Sequence, residues 1–334
     1  MTLNIIDIRS ALSEEWDHIW SNCGYATYFH SREWAEVWQA YTQKKTSPEP
    51  VILKFNDGKK VLLPISVYRS VFHAVCYGIS SPAGTFGGWI SADDLGEAHG
   101  QVLFRHVYSQ YKNLIWRLNP YGLFMARPEK GYSLKEDKTY TLNLTRGFQD
   151  IQSKWKENNN GSILRKVQKA REAGLKVYQA QSLEKWEEYY RVYQSSWRRW
   201  KEKFSAPYPW RLFELLFQKQ STHTKLWLAD FEGKTVAGAL CFYSKKHSVY
   251  WHGAALNDFF HLRPMNLIMF EAIQNACEKG KMWFDFNPSG GHSGVEQFKR
   301  SFSPEVFSCP VFVKESAVLS LLRNVRKLFK GAIS

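Results

Sequence analysis

Three side chains in the C-terminal half can move a proton or steady a negative charge: Asp285, Lys299 and His252. Asp285 lies in "MWFDFNP", between Phe284 and Phe286. Alternation along a strand gives it one face with Trp283 and Asn287. An unpaired buried carboxylate is costly, so it must reach a cation, several N–H donors or a cleft. Two roles follow: an ion pair with Lys299 or Arg300 that anchors the segment, or a general base. A glycine loop then leads to "FKRSF". There the Lys299 ammonium can neutralise a phosphate or a developing oxyanion. His252, in "VYWHGAA", can accept an amine proton near neutral pH, and regular alternation places Tyr250 on the same face.

Binding residues are suggested by isolated cations. Arg165 and Lys169 stand four apart in "LRKVQKAR", on one face of a helix, where they can meet a phosphate. Arg263 precedes a helix in "HLRPMN", and Arg198 follows a helical run in "SSWRRW", facing either a cleft or solvent. There is no G-x-S-x-G elbow and no Cys/His pattern at metal-ligand spacing, so no metal is expected, and direct transfer fits better than a covalent intermediate.

Composition sets the outer limits. A net charge of +14 favours anionic partners, whether nucleic acid, a nucleotide, a phosphorylated cofactor or an acidic membrane. The chain has 14 Trp, 17 Tyr and 22 Phe, enough to build a core and also line a cleft that grips rings or sugars. Five scattered cysteines read as reduced thiols. With no basic start before an apolar run and no long apolar stretch, the expected location is the cytoplasm, or the inner face of the cell membrane.

The elements that must position these residues occur twice, at an offset of about 170 residues. "LNIIDI" and "LKVYQA" each read as a strand before a helix, around Trp16 and Trp186 respectively. "PVILKFNDGKKVLLPISVY" and "KLWLADFEGKTVAGALCFY" are hairpin patterns turning at Asp57-Gly58 and Glu232-Gly233. Each half continues as strand, loop, helix, strand, ending in "LIWRLNP" and "MWFDFNP". Arg117 in the first half stands where Asp285 stands in the second, so the carboxylate marks the second half as the catalytic one. The fold class is α+β: two tandem domains with mixed, mostly antiparallel sheets flanked by helices. The first spans 1–145 and the second 146–315, with junction helices over 146–174.

In that junction Thr145 is expected to cap a helix running to about Glu157, Ser162 to cap the next, and Gly174 to end it. Residues 316–334 read as a basic amphipathic helix. Val318, Leu321, Leu322, Val325 and Phe329 form its stripe, which packs on the first domain or contacts a membrane surface.

The ordered set "FHSREW", "YTLNL", "LRKVQKAREAGLKV" and "WFDFNPSGGHSGVEQFKRSF" resembles the Fem-type and BioF2-like (CelD-like) acyltransferases, built from tandem GNAT-like domains. The resemblance covers nearly the whole chain. It implies an enzyme that transfers an acyl or aminoacyl group to an amine on a sugar nucleotide, an envelope polysaccharide or a lipid-linked peptidoglycan precursor. The donor it implies is an acyl-CoA or an aminoacyl-tRNA. It also implies that the strand carrying His252 splays to admit the acyl group, and that Lys299 matches the family's terminal Phe-Lys.

Three departures stand out. The segment between Trp197 and Leu226 is too short for a helical arm. "HLRPMN" has no glycine where a phosphate loop belongs, leaving Arg263 and the helix N-terminus to hold one phosphate. Asn119 stands where some relatives carry an acid. The alternatives are a noncatalytic basic-cleft binder of nucleic acid or an anionic surface, and a degenerate scaffold in polysaccharide assembly.

Overall fold

The computed structural model describes residues 2–69, 76–122, 133–158, 161–200 and 207–316, without the side chains of residues 199 and 200. All but the first residue of the expected C-terminal helix, 316–334, lies outside them.

The chain opens with β1 (Ile5–Ser10), α1 (Ser13–Asn22), α2 (Arg32–Tyr41) and β2 (Thr46–Pro48). The hairpin β3 (Val51–Phe55) and β4 (Lys60–Leu63) follows. Next come β5 (Ser66–Arg69), β6 (Cys76–Ile79), α3 (Glu97–Gln110), β7 (Leu114–Arg117) and β8 (Ser133–Lys135). β9 (Lys138–Asn143) leads into α4 (Phe148–Asn158), α5 (Ser162–Glu172), β10 (Lys176–Gln179), α6 (Leu183–Trp200) and α7 (Trp210–Gln218). The long hairpin β11 (Thr224–Phe231) and β12 (Lys234–Tyr243) precedes β13 (His247–Ala255), α8 (Pro264–Glu278) and β14 (Trp283–Asp285). The described chain closes with α9 (Ser293–Arg300), β15 (Glu305–Ser308) and β16 (Val311–Lys314).

Two compact units result. The first holds Met1–Cys23, Phe29–Asp137 and the segment that starts at Ser308; the second holds Gly24–Tyr28 and Lys138–Phe307. In the first unit β1-β3-β4 form one sheet and β2-β5-β6-β7-β16-β8 another. In the second unit one sheet runs β10-β11-β12-β13-β14-β9-β15.

The duplication is visible in the pairings. β6 and β7 are parallel with α3 between them in sequence, and β13 and β14 are parallel with α8 between them. Each closing strand is then flanked by an antiparallel one, β16 on β7 and β9 on β14. The halves differ where Pro64 interrupts the first. Its counterpart β12 is one 10-residue strand, whereas β4 and β5 are separate pieces, because proline has no N–H for a ladder.

Turn chemistry explains the hairpins. Glu232 (φ 49) and Gly233 (φ 79) both take the left-handed conformation that a tight two-residue turn requires. The junction helices end as expected at Gly174 (φ 88), whose N–H donates to Arg171 O. Their starts differ from expectation. Thr145 caps nothing, because its hydroxyl and N–H both donate to Asn143 Oδ1, and α4 begins at Phe148. Ser162 is already the first residue of α5, with Gly161 in the cap position.

The second unit's core packs Ile151, Trp155, Ile163, Val167, Leu267, Ile268, Phe284, Phe286 and Phe302 around one face of the sheet. The Trp155 indole N–H donates to Phe302 O at 2.8 Å, which satisfies its one buried polar atom.

Candidate active site

The second unit's sheet opens at one place. β13 pairs with β14 at His247–Trp283, Ser248–Phe284 and Val249–Asp285, and no ladder pair joins them beyond that point. Phe286 N–H continues the pairing with β9 through Tyr140 O, whereas Asn287 N–H turns back to Asp285 Oδ1. β13 continues to Ala255 with its far edge unpaired by β14. The splay expected in the strand carrying His252 is therefore present.

At the same level β13 is bulged. Leu240 pairs with His252 and Cys241 with Tyr250, so Trp251 is the extra residue. A bulge flips the alternation that follows it, and this corrects one expectation. Tyr250 does not share a face with His252; it lies with Cys241 and Ala239 against the α8 side of the sheet. Its hydroxyl lies over Gly253, where an added Cβ would stand 2.1 Å away.

His252 points the other way, among aromatic rings. Tyr193 lies edge-on at 4.4 Å between centroids, Phe213 at 5.5 Å, Trp251 at 5.7 Å, Tyr189 at 5.9 Å and Tyr208 at 6.4 Å. Tyr189 Oη lies 2.6 Å from His252 Nδ1. Burial lowers the imidazole to about 4 and raises the Tyr189 phenol well above its usual value. Tyr189 and Tyr193 were not singled out from the sequence, although their spacing of four on a helix places both on one face. Tyr208 and Trp251 carried no local signal.

Asp285 and Lys299 meet at the turn that ends β14. Asp285 is fully buried, and its Oδ1 accepts from Thr139 Oγ1 and from Asn287 N–H, each at 2.5 Å. Lys299 is 3% exposed and donates to Asn287 O at 2.6 Å and Pro288 O at 3.1 Å. The acid and the lysine thus grip the same turn, one by its N–H and the other by its carbonyls. Asn287 sits there at φ 61, a conformation costly outside glycine unless neighbours impose it. Arg300, the other candidate partner for Asp285, instead bonds Glu296 at 2.9 Å. Glu296 also accepts from Tyr140 Oη and Lys138, and these donors hold its carboxyl down to about 2.

The candidate binding cations divide. Arg263 is exposed at φ 62, in the cap position of α8. Lys166 on α5 lies close enough to Arg263 and Arg165 that their charges, after its own partial burial, lower its pKa. Lys166, unforeseen in the sequence, thus lies within electrostatic range of both Arg165 and Arg263. Lys169 is exposed one turn further along α5, and Arg198 is exposed on α6.

The α8 N-terminus differs from an ordinary pyrophosphate cradle. Pro264 has no N–H, and the amides of Asn266 and Leu267 go to Arg263 O. The residues present suit a single phosphate held by side chains rather than a pyrophosphate held by successive amides.

Residues 158–300 match the family model described as an acetyltransferase (GNAT) domain. The second unit carries a GNAT domain. The match takes in less than half of the chain, and the rest is related to known proteins by fold alone. The GNAT domain's setting is shared with several solved structures. A crystal structure of FemX is 11% identical, with a TM-score of 0.67 over 92% of this chain and 97% of that one. The structure of L-PGS from Bacillus licheniformis is 13% identical, with a TM-score of 0.56 over 95% and 97%. A conserved protein from Bacteroides thetaiotaomicron is 10% identical, with a TM-score of 0.58 over 93% and 100%. At such identities the likeness is one of fold. No curated protein sequence matches the chain. Among the described residues, no group of three or more His, Cys, Asp or Glu is placed to hold a metal ion, and no helix is long and apolar enough to cross a membrane.

Proposed function

We propose that the chain transfers an acyl or aminoacyl group to the amine of a cell-envelope precursor: a sugar nucleotide, a polysaccharide or a peptidoglycan intermediate. The observation that carries this reading is the opening between β13 and β14, within the residues that match the acetyltransferase (GNAT) domain. The envelope setting rests on the resemblance of the ordered motifs to the Fem-type acyltransferases. The reading assigns this work to the cytoplasm or the inner membrane face, where the basic C-terminal segment would add a peripheral contact.

The reaction needs positioning more than reactive groups. The amine nitrogen forms a bond to the acyl carbon, and the carbonyl pair moves onto oxygen. That pair returns as the bond to the donor's sulfur or oxygen breaks, and the amine proton leaves with the departing group or to water. Aromatic rings beside the open strand exclude water from this step. The cations Arg165, Lys166 and Arg263 meet the donor's phosphate, whether the donor is an acyl-CoA or an aminoacyl-tRNA.

Thermal unfolding with CoA thioesters, charged tRNA and sugar nucleotides tests this. A ligand at about 100 times its Kd stabilises by about 2.7 kcal/mol. Stabilisation by one donor class and one amine-bearing acceptor is expected. Stabilisation only by unrelated nucleic acid, with steep salt dependence, would favour the noncatalytic binder instead.

A further inference from the structure

Resting on that acyl-transfer reading, we propose that His252 serves the reaction as a neutral hydrogen-bond donor to the acyl carbonyl oxygen through Nε2–H, with Tyr189 as the positioning residue that fixes this tautomer.

Hydrogen bonding decides the tautomer. Tyr189 is fully buried, and among the described residues the only side-chain hydrogen bond it makes is the one to His252 Nδ1. If Nδ1 carried the proton, the phenol oxygen would accept and its own O–H would be left buried without an acceptor. That costs about 1–3 kcal/mol. The phenol therefore donates, Nδ1 accepts, and the ring proton sits on Nε2. Nε2 has no protein partner among the described residues and is not sealed from solvent.

The position fits the role. His252 follows the bulge at Trp251, on the stretch of β13 that has left β14. The groups facing the ring are Tyr189 and Tyr193 from α6, Tyr208 and Phe213 from the α7 side, Trp251 on its own strand and Leu240 on β12. Among the described residues none of these is a charged side chain, so none of them favours an imidazolium. Such a ring is a poor proton acceptor near neutral pH. As a fixed donor in a water-poor site, it can stabilise the oxyanion without reorganising.

The test has two arms. Nitrogen-15 NMR of the free protein reads the tautomer directly, without any turnover. An unprotonated Nδ1 and protonated Nε2 are expected, with Tyr189→Phe producing tautomer exchange. A protonated Nδ1 in the wild type would overturn the proposal.

The second arm is turnover with the donor found by thermal shift. His252→Asn, whose amide falls at the Nδ1 position, should lower kcat/KM about 10²–10³-fold, chiefly through kcat. His252→Gln, whose amide reaches the Nε2 position, should recover to within about tenfold of the wild type. Equal loss in both folded variants, or no loss in Asn, sinks the donor role. If no donor supports transfer, the acyltransferase reading falls, and the spectrum still judges the Tyr189–His252 pair.

Discussion

Lys299 Nζ donates to the main-chain oxygen of Asn287 at 2.6 Å, twelve residues back along the chain, and to Pro288 O beside it. Asp285 takes the Asn287 N–H. A lysine and an aspartate that look like catalysts in sequence are both bonded to one strained turn at the mouth of the opened sheet.

Lys299→Ala should therefore destabilise the fold. The change strips two carbonyls of their donor and leaves a cavity where a 3% exposed side chain stood. A loss of about 2–4 kcal/mol is expected, seen as a lower urea midpoint with an unchanged slope. A variant that unfolds at the wild-type midpoint but transfers nothing would return Lys299 to a purely catalytic role.

Thr139→Val probes the same clamp from the acid's side. The hydroxyl at 2.5 Å from Asp285 Oδ1 is replaced by a methyl of similar size, so packing changes little. The buried carboxylate keeps Asn287 N–H but loses a donor, at a cost of about 1–3 kcal/mol. Denaturant unfolding checks the loss, and Thr139→Ser should restore most of it.

Gly253 marks a close approach. A Cβ there would stand 2.1 Å from Tyr250 Oη and 2.8 Å from two of its ring carbons. Gly253→Ala should cost about 1–3 kcal/mol by overpacking. Adding Tyr250→Phe removes the nearest atom and should recover part of that loss, a coupling that a double-mutant cycle measures.

The sequence made some of this legible, and the reasons differ by residue. The turn at Glu232-Gly233 and the stop at Gly174 are local, set by which residues tolerate positive φ, so reading them needs no tertiary knowledge. The repeated strand-helix-strand order survived as paired parallel strands because hydrophobic pattern and turn chemistry recur together. The face of His252 was hidden, because a bulge without glycine leaves no mark in composition and reverses every later assignment. These contacts of Lys299 were hidden too, since both acceptors are main-chain carbonyls that every residue carries.

The His252 ring should also leave a signature in stability against pH. Its folded pKa is about 4, below the ordinary 6.5, because burial disfavours the charged form. Between those values the unfolded chain binds the proton and the native state does not, so stability rises with pH across that window. Read downward, the contribution is intact above about pH 6.5 and is lost as pH falls to about 4. The ceiling is about 3 kcal/mol, and the partial exposure of the ring reduces it. Comparing unfolding of the wild type and His252→Gln at pH 7, 5.5 and 4 should show the gap narrowing or reversing as pH falls. A constant gap would mean that the ring titrates normally.

Arg263 offers a variant that separates binding from folding. It occupies the left-handed region at φ 62, which disfavours a side chain by about 1–2 kcal/mol, and it neighbours Lys166. Arg263→Gly removes that strain together with a cation whose like-charge neighbours repel it. Stability should stay level or rise by up to about 1 kcal/mol, while affinity for a phosphate-bearing donor falls several-fold and becomes less salt-dependent. Calorimetric binding at low and moderate salt, beside thermal unfolding, reads both quantities. Weaker binding without loss of stability assigns Arg263 to the donor's phosphate. Unchanged affinity in a more stable protein would remove the α5–α8 cations from the site.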